Sequence, residues 1–303
     1  MNAATDTSEA LSAPATATAH TRPFYWSVRR ELWENRSLYI APMVAAGVVL
    51  AAMIIASLHM PGEVEAPGPD QLRKVVAGVF LGIAMLILAT TALTAAFYSL
   101  DALHSERRDR SILFWKSMPV SDWTAVLAKA SIPLVIVPIL IFVITIAMHC
   151  MMLVLSSAVV MVSGQNVAML WNSLPLSRMW LLLLYHLVTG HALWPFPIYC
   201  WLLLVSGWAT RATFLWAALP VVTIAGIEGI IFHTAGFAGL IGRRLFGDAP
   251  AMSMAPDSMG LDPMTTHVTI GRLLSSPGLW IGFATAAIFL AAAVRLRRYR
   301  API

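Results

Sequence analysis

The stretch that decides the fold is ASIPLVIVPILIFVITIAMHCMMLVLSSAVVMVSGQNVAMLWNSLPLS, residues 130–177, which contains no charged residue. A bilayer-spanning helix needs about 20 apolar residues. This run holds one span and then a polar break at Ser163-Gly164-Gln165-Asn166. Four more uncharged runs exist: Ser37–Gly62, Val75–Leu100, Met179–Thr210 and Leu273–Val294. A charge at mid-bilayer costs about 2.5–3.5 kcal/mol on insertion scales, so these gaps map a bilayer along the chain. The whole chain is 59% hydrophobic and 12% charged, against about 25% charged for soluble domains. The reading is an all-α integral membrane protein.

Six transmembrane helices are expected, near Tyr39–Leu58, Val75–Leu100, Ser131–Met161, Met179–Ser206, Thr213–Gly236 and Leu279–Leu296. Prolines 133, 138, 195, 197 and 220 fall inside or beside them. In lipid such prolines are tolerated where neighbours re-satisfy the freed carbonyls, so kinked, bundled helices are expected. Residues 1–21 are rich in Ala, Thr and Ser and read as a disordered tail; residues 22–303 form the membrane domain. No apolar signal-peptide core is seen in the first 21 residues. Cys150 and Cys200 both lie in apolar runs and read as small packing residues.

Basic residues orient the bundle. With six spans both termini share one side, and that side holds fourteen of the twenty Lys and Arg residues. Both termini are therefore expected in the cytoplasm, with the protein in the inner (plasma) membrane. Arg243-Arg244 sits awkwardly on the outer side and marks a segment that dips into the outer interface. Residues 22–35, RPFYWSVRRELWEN, read as a helix lying on the inner surface. Phe24, Val28 and Leu32 recur at i, i+4, i+8; Trp26 and Trp33 suit the headgroup zone and the arginines suit anionic lipid.

Between the second and third spans the chain concentrates its charge around an apolar knot, Ile112-Leu113-Phe114-Trp115. Glu106 and Arg110 are four apart and allow an ion pair on one helix face. A short helix over Ser111–Ser117 is expected, ended by Pro119, with Ser121 capping the third span. It would display Phe114 and Trp115, side chains suited to a protein–protein hot spot. The plainer reading is an aromatic anchor that touches only lipid.

Residues 97–129, FYSLDALHSERRDRSILFWKSMPVSDWTAVLAK, resemble the cytoplasmic loop of ABC-2 type transporter permeases. The specific part is Glu106-Arg107-Arg108-Asp109-Arg110-Ser111 followed by Lys116-Ser117-Met118-Pro119-Val120-Ser121; the architectural likeness extends over about residues 22–300. The resemblance implies six spans, an N-terminal interfacial helix and a cytoplasmic coupling helix. It also implies a dimer with a second permease copy, each half docked on a separate ATP-binding cassette ATPase, and mostly outward transport. Glu106, Arg110, Ile112, Phe114, Trp115 and Met118 would carry the coupling. A P-loop needs Gly-Lys-Ser/Thr, and Lys74, Lys116 and Lys129 follow Arg73, Trp115 and Ala128. ATP hydrolysis is thus expected on a partner and not here; no cofactor, metal or nucleic acid is expected.

Glu228 is the sole carboxylate inside an expected span, and an intramembrane ionisable group marks a functional site by default. It could bind a cationic substrate, carry a proton or fix helix packing, and it supports an alternative: a secondary transporter or channel driven by an ion gradient. His149, His186 and His191 also lie at or in spans, without a His-Glu-x-x-His run; Gly-x-Ser-x-Gly is absent too, which leaves a membrane enzyme without a constellation. Gly78 and Gly82, and Ala225 and Gly229, permit close helix approach, within one subunit or at a dimer seam. Met252, Met254, Met259, Met264 and His267 in the outer loop offer soft ligands for Cu(I), though a flexible cover is the plainer reading. The substrate leaves no mark in the sequence.

Overall fold

A peptide group inside a bilayer has no water to bond, so an uncharged run must close its own hydrogen bonds, and helix does this within one segment. The computed structural model describes residues 22–59, 69–118, 120–162, 166–168, 171, 176–246 and 274–300, and these are helices and their connections, with no strand among them. The helices are α1 (Pro23–Glu34), α2 (Ser37–His59), α3 (Pro69–Asp101), α4 (His104–Arg108), α5 (Ser111–Ser117), α6 (Asp122–Ser131) and α7 (Val137–Val162). Then come α8 (Leu176–His186), α9 (Phe196–Trp208), α10 (Thr213–Ile227), α11 (Gly236–Phe246) and α12 (Pro277–Tyr299). The expected tail 1–21, residues 163–165 of the polar break, Pro119 and the methionine-rich loop lie outside the described residues.

Five helical segments are long and apolar enough to cross a bilayer: Ser37–Ser57, Gly78–Arg108, Asp122–Val162, Thr213–Phe232 and Pro277–Tyr299. Leu176–Leu193 and Phe196–Trp208 form a pair bent by 43°, which makes six if the pair is one span. This is the architecture of a multi-pass membrane protein. The expected helix over Met179–Ser206 is broken, and the kink falls at the prolines that predicted it. Pro195 and Pro197 each lack an N–H, and the chain widens into a π-helical stretch, Leu187–Leu193, just before them. A second wide stretch, Ile132–Ile136, contains Pro133 and joins α6 to α7. The expected helix Thr213–Gly236 stops earlier, at Phe232, where a third wide stretch (Glu228–Phe232) ends on His233 in the left-handed region, φ 50°.

α9 packs against α12 and α3, while α2 and α7 pack against α3 and each other. Leu38, Phe80, Ile87, Ile132, Ile141, Met152 and Leu153 are buried among them. Cys200 is buried, as a packing residue should be, but Cys150 is exposed. Polar groups cross-link the apolar helices. The Trp180 indole donates to His149 Nδ1 at 3.3 Å, so the ring proton resides on Nε2, which donates to the Phe80 carbonyl at 3.1 Å. α8, α7 and α3 are thereby tied together.

Two faces lack cover among the described residues. A Cβ on Gly78 or Gly82 would meet nothing within 4 Å, so this pair makes no close helix approach to the described helices. In α10 and its wide extension only 6% of the most apolar window is buried. Val222, Ile224, Ile230 and Ile231 are exposed there, which lipid tolerates and water would not.

Candidate functional site

α3 stops at Asp101 and the chain resumes as α4 at His104, a break that frees backbone N–H groups. The Ser206 hydroxyl of α9 accepts from the Leu103 and His104 amides at 2.8 and 2.9 Å. Arg107 returns the bond, donating to the Gly207 carbonyl at 2.9 Å, near the C-terminal end of α9, where a cation also meets the helix dipole favourably. α4 is thus held, and it points Glu106 into the bundle.

Glu106 is the centre of a buried charge cluster. Its Oε1 lies 2.9 Å from Arg30 Nη2 and 3.2 Å from Lys129 Nζ. Glu31 Oε1 meets the same two cations, at 2.6 and 2.8 Å. The four groups form a ring of alternating sign contributed by α1, α4 and α6. Glu31, Glu106 and Lys129 are nearly solvent-free, at 2%, 5% and 2% exposure. The Tyr98 hydroxyl of α3 donates to Glu31 Oε2 at 2.9 Å. Arg297 of α12 sits with Nε 3.4 Å from Glu106 Oε2 and donates through Nη1 to Asp122 of α6. Burial opposes the Arg30 charge, yet Glu31, Glu106 and Glu34 around it hold the guanidinium above its ordinary range. Desolvating each ion costs several kcal/mol, which the attraction inside the cluster offsets only while every partner is present.

α5 rests on this cluster. Ile112 is buried, and the Trp115 ring lies under Arg30, whose guanidinium carbon is 3.8 Å from the ring centroid. Trp115 is therefore turned partly inward rather than displayed. Phe114 meets it edge-on, 5.1 Å between centroids at 80°. Leu113 and Phe114 are about three-fifths exposed and Met118 is 42% exposed. Lys116 Nζ donates to the Arg298 carbonyl at 3.1 Å, which ties α5 to the end of α12. The helix bounds match expectation, Met118 is extended as a residue before proline must be, and the Ser121 hydroxyl caps α6 by accepting from the Thr124 amide at 3.0 Å.

The expected Glu106–Arg110 ion pair is not formed. Arg110 has a left-handed backbone, φ 57°, because the chain reverses there between α4 and α5. That turn removes the i, i+4 relation, and the Arg110 side chain is exposed while Glu106 goes to the cluster.

At the other end of the bundle Glu228 serves as a cap. Its carboxylate accepts from the amides of Gly236 and Phe237, at 2.9 and 2.7 Å, and from the Thr234 hydroxyl at 2.9 Å. These are orphan donors at the start of α11. A Cβ on residue 236 would meet Glu228 Oε1 at 2.9 Å, so a larger residue there would push the carboxylate aside. Arg244 explains the awkward basic pair. It stacks on Trp194, 4.4 Å to the centroid, and donates to the carbonyls of Trp194 and Gly278. α11 is clamped onto the break in the bent pair and the start of α12. His191 is buried beside Tyr199, and His186 bonds the Leu182 carbonyl of its own helix.

Arg30, Glu31, Tyr98, Asp122, Lys129 and Arg297 are site residues that sequence reasoning passed over. One signal was present: in a chain so poor in charge, Lys129 borders the long uncharged run 130–177. Comparison with family models, with curated proteins and with solved structures gives no match for this chain.

Two outcomes follow from this geometry. Glu106→Gln leaves Arg30, Lys129 and Arg297 short of one counter-charge, so it should lower unfolding free energy in detergent by about 3 kcal/mol. Glu34→Gln, on the exposed rim, should cost roughly 0.5 kcal/mol or less; equal effects would show the cluster to be solvated. Glu228→Ala should speed amide exchange at the first turn of α11, as the loss of an N-cap does, while leaving α5 unchanged.

Proposed function

We propose that this chain is the membrane-spanning permease subunit of an ABC-2 type transporter, an exporter driven by ATP hydrolysis on a separate ATPase subunit. In this reading the bent pair is one span. The six spans put both termini in the cytoplasm and the charged end at the inner leaflet of the plasma membrane. α1 is the interfacial helix and α5 the coupling helix. Two copies dimerise, and the uncovered apolar faces of α3 and α10 are the surfaces that would meet lipid or the second copy.

The observation that carries the reading is the two-sided build of α5. Leu113, Phe114 and Met118 face outward, while Ile112 and Trp115 face the bundle. An exposed aromatic on a short, anchored helix is an anchor for a partner's pocket. Pressure on Phe114 passes edge-on to Trp115, from there to Arg30, and through Glu31 and Glu106 to α6 and α12. The gradient-driven alternative needs a carboxylate free to exchange ions or protons, and both Glu228 oxygens already accept hydrogen bonds.

The test is co-purification with a co-expressed ATP-binding cassette ATPase. Leu113→Ser with Phe114→Ser should leave the fold intact, weaken ATPase binding about thirtyfold and abolish transport, since one buried aromatic anchor is worth about 2 kcal/mol. Undiminished ATPase capture together with continued transport would exclude α5 as the docking element.

A further inference from the structure

α1 gives two neighbouring arginines opposite fates. Arg30 turns inward to the charge cluster. Arg29 lies against two indoles, its guanidinium carbon 5.2 Å from the Trp26 ring centroid and 4.5 Å from that of Trp33. Trp26, Arg29 and Trp33 fall at i, i+3 and i+7, one stripe of a helix. Both indoles are more than half exposed, and Phe24 and Tyr25 add exposed aromatic surface beside Trp26 in the first turn of the helix. Of the expected apolar face only Val28 and Leu32 pack on the core; Phe24 does not.

The charges on this side are unbalanced. Among the described residues no carboxylate lies within ion-pair distance of Arg29, nor of Arg22 at the start of α1 or Arg36 just past its end. The two acids of α1 are engaged by Arg30, Glu31 within the cluster and Glu34 at its rim. Asn35 and Arg36 alone separate α1 from α2, the first membrane-length helix, so α1 stays at the bilayer edge. The negative charge that a bilayer edge offers is lipid phosphate.

We propose that Arg29, braced by Trp26 and Trp33, is a discrete site for the phosphate of an anionic phospholipid headgroup. A guanidinium packed on aromatic rings keeps its in-plane N–H groups for a bidentate acceptor, and phosphate matches that fork. Indoles prefer the headgroup layer and stiffen the cation there, so the site differs from a smeared basic surface. The lipid holds α1 from outside while Glu106 holds it through Arg30 from inside. The inference goes beyond the transport reading and does not rest on it: the test below contains no nucleotide and no partner.

The experiment is native mass spectrometry of the full-length chain in detergent, titrated with phosphatidylglycerol and with phosphatidylcholine. One phosphatidylglycerol should bind preferentially. Arg29→Gln should weaken it about tenfold, the loss of a charge-assisted bidentate contact. Arg29→Lys should not restore it, because an ammonium offers neither the fork nor the stacking plane. Trp26→Leu with Trp33→Leu, which leaves every charge in place, should weaken it as well. Arg22→Gln and Arg36→Gln should each stay within roughly twofold of the wild type. Equal losses from all three arginines would reveal diffuse attraction and overturn the proposal, as would wild-type affinity in Arg29→Gln or Arg29→Lys.

Discussion

A carboxylate placed where water is scarce must be matched by a cation, and one constraint of this kind organises the charged end of the bundle. Glu31 and Glu106 each share Arg30 and Lys129. The ring joins α1, α4 and α6, and Arg297 extends it to α12. Remove any member and the remaining buried ions are short of a counter-charge, which costs more than the intact ring contributes. The ring therefore acts less as a reservoir of stability than as a specification. It admits one arrangement of four helices and penalises the rest.

The other features of that end fall into place around it. The Ser206 hydroxyl completes the break between α3 and α4, which lets α4 turn Glu106 inward. Trp115 covers the Arg30 corner of the ring and carries α5 with it. α1 is held from both sides, by Arg30 within and by the Arg29 stripe without. The proposed transport cycle uses this rigidity: a short helix bearing an exposed aromatic can move several helices only if it is fastened to all of them. At the opposite end the fastenings are a capped helix start and an arginine clamp, which hold α11 through hydrogen bonds and stacking.

Much of this was legible in the sequence, for physical reasons that identify themselves. Uncharged runs of membrane length can satisfy their backbone only as helices, so the spans were readable to within several residues. The short helix at Ser111–Ser117 and its flanks were readable because a proline and a Ser cap act locally. The charge ring was not readable. Two of its pairs lie 76 and 98 residues apart along the chain, and no local pattern records which cation meets which acid. Local geometry also misled where a turn intervened: Arg110 is four residues from Glu106, but α4 ends at Arg108 and Arg110 is itself left-handed. Glu228 looked like a lone charge in lipid because the amides it caps belong to a helix that begins after a reversal of the chain.

The most direct measurement is a double-mutant cycle between Glu31 and Lys129, 98 residues apart and 2.8 Å in contact. Glu31→Gln, Lys129→Met and the pair would be compared by equilibrium unfolding of the purified protein. A closed ring predicts that the double variant is less destabilised than the two single variants added together, by about 1.5–3 kcal/mol. Strict additivity, within roughly 0.5 kcal/mol, would mean that these charges do not meet and that the helices of the charged end are held by something else.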